Sequence, residues 1–237
     1  MSRLAPLLLL FALLCSGPAR GEDVVMLVYP NLGLFDVGSD GRISGSGADL
    51  LARMGVLSGV RPELQAVPAA RALQMIGQQP GHCTAGLART PDREALYRWA
   101  GPMAVGELVL YGRAGETREV NGPQDLTRNS VVVQRNSQAL AWLQTHKLQA
   151  HEVNDTVTGL RMLRAGRVDY WLANSLAANP AIQRTEGEAP KPLHVVGRVE
   201  LFIACHRDMP PGVVERLQTA LTRMRRDGEL DSFNNLR

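Results

Sequence analysis

The sequence is poor in aromatic residues, histidine and cysteine, and it carries little net charge once its first segment is set aside. Phe, Trp and Tyr make up 5% of the 237 residues, and there are five His and three Cys. Removing residues 1–21 takes away Arg3 and Arg20, which reduces the basic residues from 26 to 24, against 23 acidic ones. A balanced chain with few aromatics carries neither a nucleic-acid footprint nor a polybasic membrane patch. The expected partner is therefore a small molecule or another protein, and no nucleic acid.

Recognisable catalytic, cofactor and metal motifs are also missing. The sequence has no nucleophile elbow, phosphate loop or zinc-protease helix, and "GSGADL" at 45–50 lacks the lysine and the dinucleotide spacing. His146 and His151 are too far apart to stack on one helix face. Neighbouring residues on a strand point to opposite faces, so "HC" at 82–83 and "CH" at 205–206 do not converge easily. We expect no cofactor and no metal.

The first residues have the pattern of a signal peptide. "LAPLLLLFALLC" at 4–15 is an apolar core too short to span a bilayer, and "ARG" at 19–21 fits a cleavage site. Lipoprotein processing before Cys15 is the alternative, but Leu14 is bulky where a small residue is needed. No later apolar run is long enough to cross a membrane. This pattern predicts that residues 1–21 are removed on export and that the protein is periplasmic.

Cysteine usage suggests one cross-link. Export places the mature chain in an oxidising compartment, where cysteines tend to pair. Cys83 and Cys205 are therefore the candidate disulfide, which would close a loop of about 120 residues.

Apolar runs alternate with helical patterns along the mature chain. The near-continuous apolarity of the runs predicts strands covered on both faces, as in parallel sheets of α/β proteins. The predicted strands are 23–29, 107–112, 130–134, 168–173 and 199–205. The predicted helices are 47–57, 68–77, 92–100, 137–146, 155–166 and 212–233. The fold class is α/β.

Two segments repeat one plan. Residues 70–88 and 158–173 each contain an amphipathic helix, a glycine-bearing stop and a buried strand that leads to a polar turn. Each turn would lie at the carboxyl edge of its sheet, where α/β proteins bind ligands. If two lobes face each other, these edges line a cleft.

Arg93 occupies an unusual position within "TPDRE". Thr90 caps the predicted helix at 92–100 and Pro91 fits its first turn, yet a cation there opposes the helix dipole. A guanidinium beside the unpaired amides of a helix start makes a site for a carboxylate. We expect Arg93 to bind an anion.

The chain resembles the periplasmic solute-binding proteins of the type II fold, in the extracellular family 3 that includes polar amino-acid receptors of ABC transporters. The resemblance rests on the order and spacing of four pieces over nearly all of the mature chain: "DGRISGSGADLLARM", "G…TPDRE", "LRAGRVDYWLAN" and "LFIACHRDMPPGVVERLQTALTRMRRDGELDSF". It implies two lobes joined by two hinge strands. Lobe 1 would comprise 22–107 plus 206–237, and lobe 2 would comprise 108–205.

The resemblance also implies a site in which Arg93 holds the carboxylate of the ligand. The residues expected beside it are Tyr29, Phe35, Arg71, Gly86 and Leu87 from lobe 1, and Asn136, Gln138 and Asn174 from lobe 2. Four of these residues have an ordinary structural alternative. Tyr29 and Phe35 could pack under a loop, Arg71 could form a salt bridge, and Asn174 could be a turn residue.

Two departures from the family pattern bear on the ligand. Asn174 stands where amino-acid receptors commonly carry an acid for the ammonium group, and Ala88 stands where a small hydroxyl residue is frequent. Unless Asp155, Asp169 or Glu107 replaces that acid, the ligand is a carboxylic acid without a free amine.

The resemblance implies a monomeric, non-catalytic receptor for a small carboxylated solute, working with an ABC permease or a membrane sensor. Two alternatives remain. A dehydratase-like enzyme on the same fold would need an acid or base in the cleft, such as Glu107, Asp155 or a histidine. An accessory protein without a ligand would have its cleft filled by its own side chains.

Overall fold

The computed structural model describes residues 22–30 and 34–234, and the predicted signal peptide lies outside these ranges. Within them the chain forms ten strands and seven α-helices. The strands are β1 (Glu22–Val28), β2 (Asp36–Val37), β3 (Ile43–Ser44), β4 (Val60–Ala66), β5 (His82–Ala88), β6 (Tyr97–Gly112), β7 (Val131–Gln134), β8 (His151–Val153), β9 (Tyr170–Asn174) and β10 (Lys191–His206). The helices are α1 (Ser46–Ser58), α2 (Ala69–Gln78), α3 (Gln138–Thr145), α4 (Thr156–Arg164), α5 (Ser175–Arg184), α6 (Pro211–Arg226) and α7 (Glu229–Asn234). None of the helices in these ranges is long and apolar enough to span a bilayer.

Eight of the described strands form one mixed sheet, in the order β4-β1-β5-β10-β6-β9-β7-β8. We call β4, β1 and β5 the first half of the sheet, and β9, β7 and β8 the second half. The strands within each half are parallel, as the apolar runs predicted. The strands β10 and β6 between them run antiparallel to each other and to their outer neighbours. An apolar run indicates that a strand is covered on both faces, but it does not indicate whether the neighbouring strand is parallel or antiparallel.

The long strands β6 and β10 connect the two halves. Each has 16 residues, and their ladder runs from Tyr97 opposite His206 to Gly112 opposite Lys191. β5 pairs with the carboxyl end of β10, whereas β9 pairs with the carboxyl end of β6. The two halves are therefore attached to opposite ends of one ladder. The expected division into lobes 22–107 plus 206–237 and 108–205 stays a prediction.

Helices α2 and α4 cover corresponding faces of the two halves. Ala72, Met75 and Ile76 of α2 are buried, as are Leu160 and Leu163 of α4. Their spacing of three or four residues gives each helix one apolar face. Full burial of one such aliphatic side chain stabilises the fold by about 1.5–3 kcal/mol. The two segments that repeat one plan in the sequence are thus α2–β5 and α4–β9.

The helix predicted at 92–100 does not form. The Arg93 N–H donates to the Thr90 carbonyl and the Leu96 N–H donates to the Arg93 carbonyl, which makes consecutive turns. From Tyr97 onward the chain belongs to β6 and pairs with β10. Pairing with β10 provides tertiary contacts that a short isolated helix lacks. Residues 91–96, between β5 and β6, form turns instead of a helix.

Two further helix predictions need correction. The predicted helix at 212–233 is divided into α6 and α7, because Gly228 adopts a left-handed φ of 76° between them. Helix α5 was not predicted, and it contains Pro180. A proline usually breaks a helix, but burial of Leu176, Ala177 and Ala181 on the same helix holds α5 in place.

The predicted disulfide between Cys83 and Cys205 is confirmed. The two residues face each other in the ladder between β5 and β10, and both are fully buried. They are 122 residues apart in the sequence. The bond therefore ties the first half of the sheet to the central ladder.

Reducing this disulfide is expected to destabilise the protein. A cross-link over such a long loop restricts the unfolded chain, and its loss should lower the free energy of unfolding by about 2–5 kcal/mol. Urea unfolding with and without reductant measures the difference, and the double variant Cys83→Ala/Cys205→Ala is the control that should match the reduced wild type. Equal midpoints with and without reductant would contradict the prediction.

Candidate functional site

The carboxyl ends of β5 and β9 meet the amino ends of four helices around a cavity of about 120 Å³. Ala69 of α2, Gln138 of α3 and Thr156 of α4 are the first residues of their helices, and all three line the cavity. Asn174, which caps α5, lines it as well. The strand ends at Ala88 and Asn174 bring both repeated segments to the same cavity.

A bulge in β5 shapes the wall that the first half contributes. The register with β10 skips Gly86 between Ala85 and Leu87, and Gly86 has a left-handed φ of 83°. The Tyr29 hydroxyl donates a hydrogen bond to the Gly86 carbonyl at 2.5 Å. Burial raises the pKa of this hydroxyl to about 12, although nearby Arg93 acts in the opposite direction. Tyr29 is therefore a neutral donor at physiological pH.

Arg93 extends from a turn to the opposite side of the cavity. Its Nη1 donates to the Ala88 carbonyl at 3.4 Å, and its Nη2 donates to the Asn136 carbonyl at 3.1 Å. A guanidinium has five N–H donors, so these two bonds leave further donors for the two oxygens of a carboxylate. The helix start expected beside Arg93 is not formed, because residues 92–100 are not helical. The helix amino ends that do line the cavity belong to other parts of the chain, among them α3 and α5 of the second half.

In the second half, two helix starts are capped by side chains of residues that themselves line the cavity. Asn136 has a φ of 57°, and Ser137 then caps α3 by accepting the Leu140 N–H at 3.2 Å. The Asn174 Oδ1 accepts the Leu176 N–H at 3.0 Å and caps α5. These caps hold two helix amino ends, with their partial positive charge, at the wall of the cavity.

A direct contact joins the two halves at the cavity, namely the bond from Arg93 to the Asn136 carbonyl. Outside the lining, the Arg184 Nη1 at the end of α5 lies 2.6 Å from the Asp36 Oδ2 of β2. Both side chains of this ion pair remain partly exposed, so its contribution to stability is small. The structure is thus a closed arrangement in which the halves touch.

The cavity contains positive charge and, among its described lining residues, no carboxylate. Arg93 and Arg135 line it, and no aspartate or glutamate does. Residues 31–33, which fall outside the described ranges, are Asn, Leu and Gly. An anion is therefore the charged group that this cavity favours.

The three acids named as substitutes for an ammonium partner do not line the cavity. Asp155 caps α4 by accepting the Thr158 N–H at 2.8 Å. Asp169 precedes β9, at the end of that strand away from the cavity, and accepts the Ser130 N–H at 2.9 Å. This backbone hydrogen bond is the main cause that holds the pKa of Asp169 below its ordinary value. Glu107 is exposed on β6.

The structure brings together all but one of the expected site residues. Those lining the cavity are Tyr29, Phe35, Gly86, Leu87, Arg93, Asn136, Gln138 and Asn174. Arg71 does not line it, because its position on α2 is exposed while the cavity contacts Ala72 and Leu73. Their roles in binding stay predictions.

Sequence reasoning missed Arg135 and the apolar lining. Arg135 directly follows β7, so the rule that ligands bind at the carboxyl ends of parallel strands could have found it. Leu73, Trp171 and Leu201 also line the cavity. Nothing in the sequence distinguishes these three from ordinary core residues, because they are apolar side chains on regular helices and strands.

Comparisons with known proteins agree with this architecture. A family model described as "Bacterial extracellular solute-binding proteins, family 3" matches residues 26–235. No curated protein sequence matches the chain.

Several solved structures share the fold at low sequence identity. A histidine kinase sensor domain with similarity to periplasmic binding proteins has a TM-score of 0.80 and 14% identity, over 90% of this chain and 95% of its own. A mutant of ArgBP from T. maritima has a TM-score of 0.76 and 16% identity, over 90% and 93%. The ancestral amino acid-binding protein AncCDT-1, a precursor of cyclohexadienyl dehydratase, has a TM-score of 0.75 and 16% identity, over 90% and 93%. All three show a two-lobed binding-protein fold.

Replacing Gly86 by alanine should destabilise the protein. An alanine there must adopt a left-handed φ, and its Cβ would lie 3.4 Å from the Tyr29 hydroxyl, so the free energy of unfolding should fall by about 1–2 kcal/mol. Gly77→Ala is the matched control: it lies in α2 with open space around the added Cβ, and it should be neutral or stabilising by up to about 1 kcal/mol. Urea unfolding compares the two, and equal effects would contradict the strain at Gly86.

Proposed function

The chain belongs to the bacterial extracellular solute-binding proteins, family 3, and from this premise we propose that it binds a small carboxylated solute in the cavity between the two halves of its sheet. In this proposal the protein is a monomeric receptor without catalytic activity. Residues of both halves surround the solute, and the lobes are the predicted 22–107 plus 206–237 and 108–205.

The observation that carries the proposal is the position of the Arg93 guanidinium. Its guanidinium belongs to the first half, lines the cavity and contacts the Asn136 carbonyl of the second half. A carboxylate placed there would accept from Arg93 and face the amino end of α3, whose first residue also lines the cavity. Such a ligand would bind both halves at once.

Ligand binding would then favour the closed arrangement. A solute that contacts both halves only when they are close together has higher affinity for that state, and this difference shifts the population toward it. Arg184 of α5 and Asp36 of β2 form a further ion pair outside the lining of the cavity. The closed form is the one that a partner protein would recognise.

The partner and the location follow from the family rather than from the cavity. Membership of an extracellular family and the predicted signal peptide support a periplasmic location. An ABC permease would receive the solute from an import receptor. A membrane sensor is the second possible partner, and the likeness to a histidine kinase sensor domain supports it at the level of the fold.

The lining of the cavity supports binding over catalysis. A dehydratase-like enzyme would need a general acid or base within reach of its substrate. Of the described lining residues, none is Asp, Glu, His or Lys, and the Tyr29 hydroxyl keeps its proton. The open volume of about 120 Å³ also supports a ligand, because an accessory protein would fill this space with its own side chains.

A thermal-shift screen tests the proposal. The mature protein is tested against amino acids, small carboxylates and uncharged sugars, at concentrations reaching 100 times the dissociation constant. Such a ligand adds about 2.7 kcal/mol of stability, which should raise Tm by about 5–10 °C for a chain of this size. Stabilisation by sugars alone would contradict the proposal.

Arg93→Ala should weaken binding of any carboxylate found in this way. Removing the guanidinium leaves a carboxylate without its main partner, so binding should become weaker by about 2–4 kcal/mol. Calorimetry measures the change, and Arg71→Ala is the control because Arg71 is exposed and lies outside the cavity lining. Equal affinities of the two variants would contradict a role of Arg93 in binding the carboxylate.

A further inference from the structure

We propose that the cavity selects carboxylates whose remaining part is apolar and carries no ammonium group, so that it discriminates against α-amino acids. The inference rests on the proposed function and specifies its ligand class. It follows from how the cavity distributes charge, from which of its polar groups are already bonded, and from its apolar wall.

The first argument is the charge of the lining. Arg93 and Arg135 line the cavity, whereas none of its described lining residues is acidic. The amino ends of α2, α3 and α5 add partial positive charge, whereas the amino end of α4 is capped by the Asp155 carboxylate just outside the lining. A carboxylate is stabilised in such a field, but an ammonium in the same small volume would face like charge and lose its hydration.

The second argument is that the described lining offers an ammonium only neutral hydrogen-bond acceptors, several of which are already bonded. The Thr84 hydroxyl donates to the Leu27 carbonyl, and the Asn174 Oδ1 is occupied as the cap of α5. The Gln134 Oε1 accepts from the Thr156 hydroxyl. The acceptors that remain for a ligand, such as the amide oxygens of Asn136 and Gln138, are neutral, whereas the guanidinium and the helix amides are donors.

The third argument is the apolar wall. Leu34, Leu73 and Leu201 line the cavity, together with Phe35 and Trp171. An aliphatic or aromatic body would bury its surface against these side chains. The arrangement therefore fits a molecule with one anionic end and an apolar remainder.

Calorimetry with matched ligand pairs tests this selectivity. The pairs are L-alanine with propionate, L-leucine with isocaproate, and L-phenylalanine with hydrocinnamate, which differ only in the amino group. In at least one pair the acid without the amine should bind to the wild type about tenfold or more tightly than the amino acid.

A substitution at Asn174 should reverse the preference. Asn174→Asp places a carboxylate at the cavity and keeps a good helix cap, so the variant should fold. It should bind the amino acid of the pair about tenfold or more tightly than the wild type does, and the acid without the amine more weakly. Gln144→Glu is the control, because Gln144 is exposed on α3 and does not line the cavity; it should leave both affinities unchanged.

The outcomes separate this inference from the proposed function. If the amino acids bind to the wild type as tightly as their partners or more tightly, the inference is wrong and the carboxylate receptor stands. If no carboxylate of any pair binds at millimolar concentration, the proposed function fails and the inference fails with it. If the wild type prefers the acids and Asn174→Asp does not change that preference, the absence of an acid at the cavity is not the cause, and the inference is overturned.

Discussion

The ladder between β6 and β10 is the constraint on which the arrangement of the protein depends. Because the two strands are long enough to pair with β5 at one end and with β9 at the other, they hold both halves of the sheet on one support. The carboxyl ends of β5 and β9 then face the same cavity. The disulfide between Cys83 and Cys205 fixes β5 to this ladder covalently. Without the ladder between β6 and β10, neither half would form its side of the cavity at the right place.

The cavity gains its character from backbone geometry as much as from side chains. Helix amino ends lie at the cavity because α3 follows β7 and α5 follows β9 at strand ends that line it. Arg93 and Arg135 each supply a full positive charge, and Arg93 also contacts Asn136 of the opposite half. Two of the acids considered as partners for an ammonium are used elsewhere: Asp155 caps a helix, and Asp169 binds Ser130. A cavity with positive charge and an apolar wall results.

Sequence reasoning could predict the features that depend on local pattern or on pairs of residues with distinctive chemistry. The strands β1, β7 and β9, the helices α2 and α4 and the disulfide belong to this class, and so does the place of Arg93 beside a buried strand. It failed at 92–100, where pairing with a distant strand overrides a local helix signal, and at α5, where burial outweighs Pro180. Arg71 was expected at the site from the family resemblance, but its position on α2 is exposed while Ala72 and Leu73 line the cavity. The apolar lining could not be identified, since it resembles any core.

A crystal structure of the protein with hydrocinnamate tests the central claim most directly, because it locates both ends of the ligand. The account predicts the ligand inside the cavity, with carboxylate oxygens about 3 Å from the Arg93 guanidinium and the ring against Phe35 and Trp171. Both halves of the sheet should contact the same molecule. A ligand bound outside the cavity, or one whose carboxylate points away from Arg93, would contradict the account.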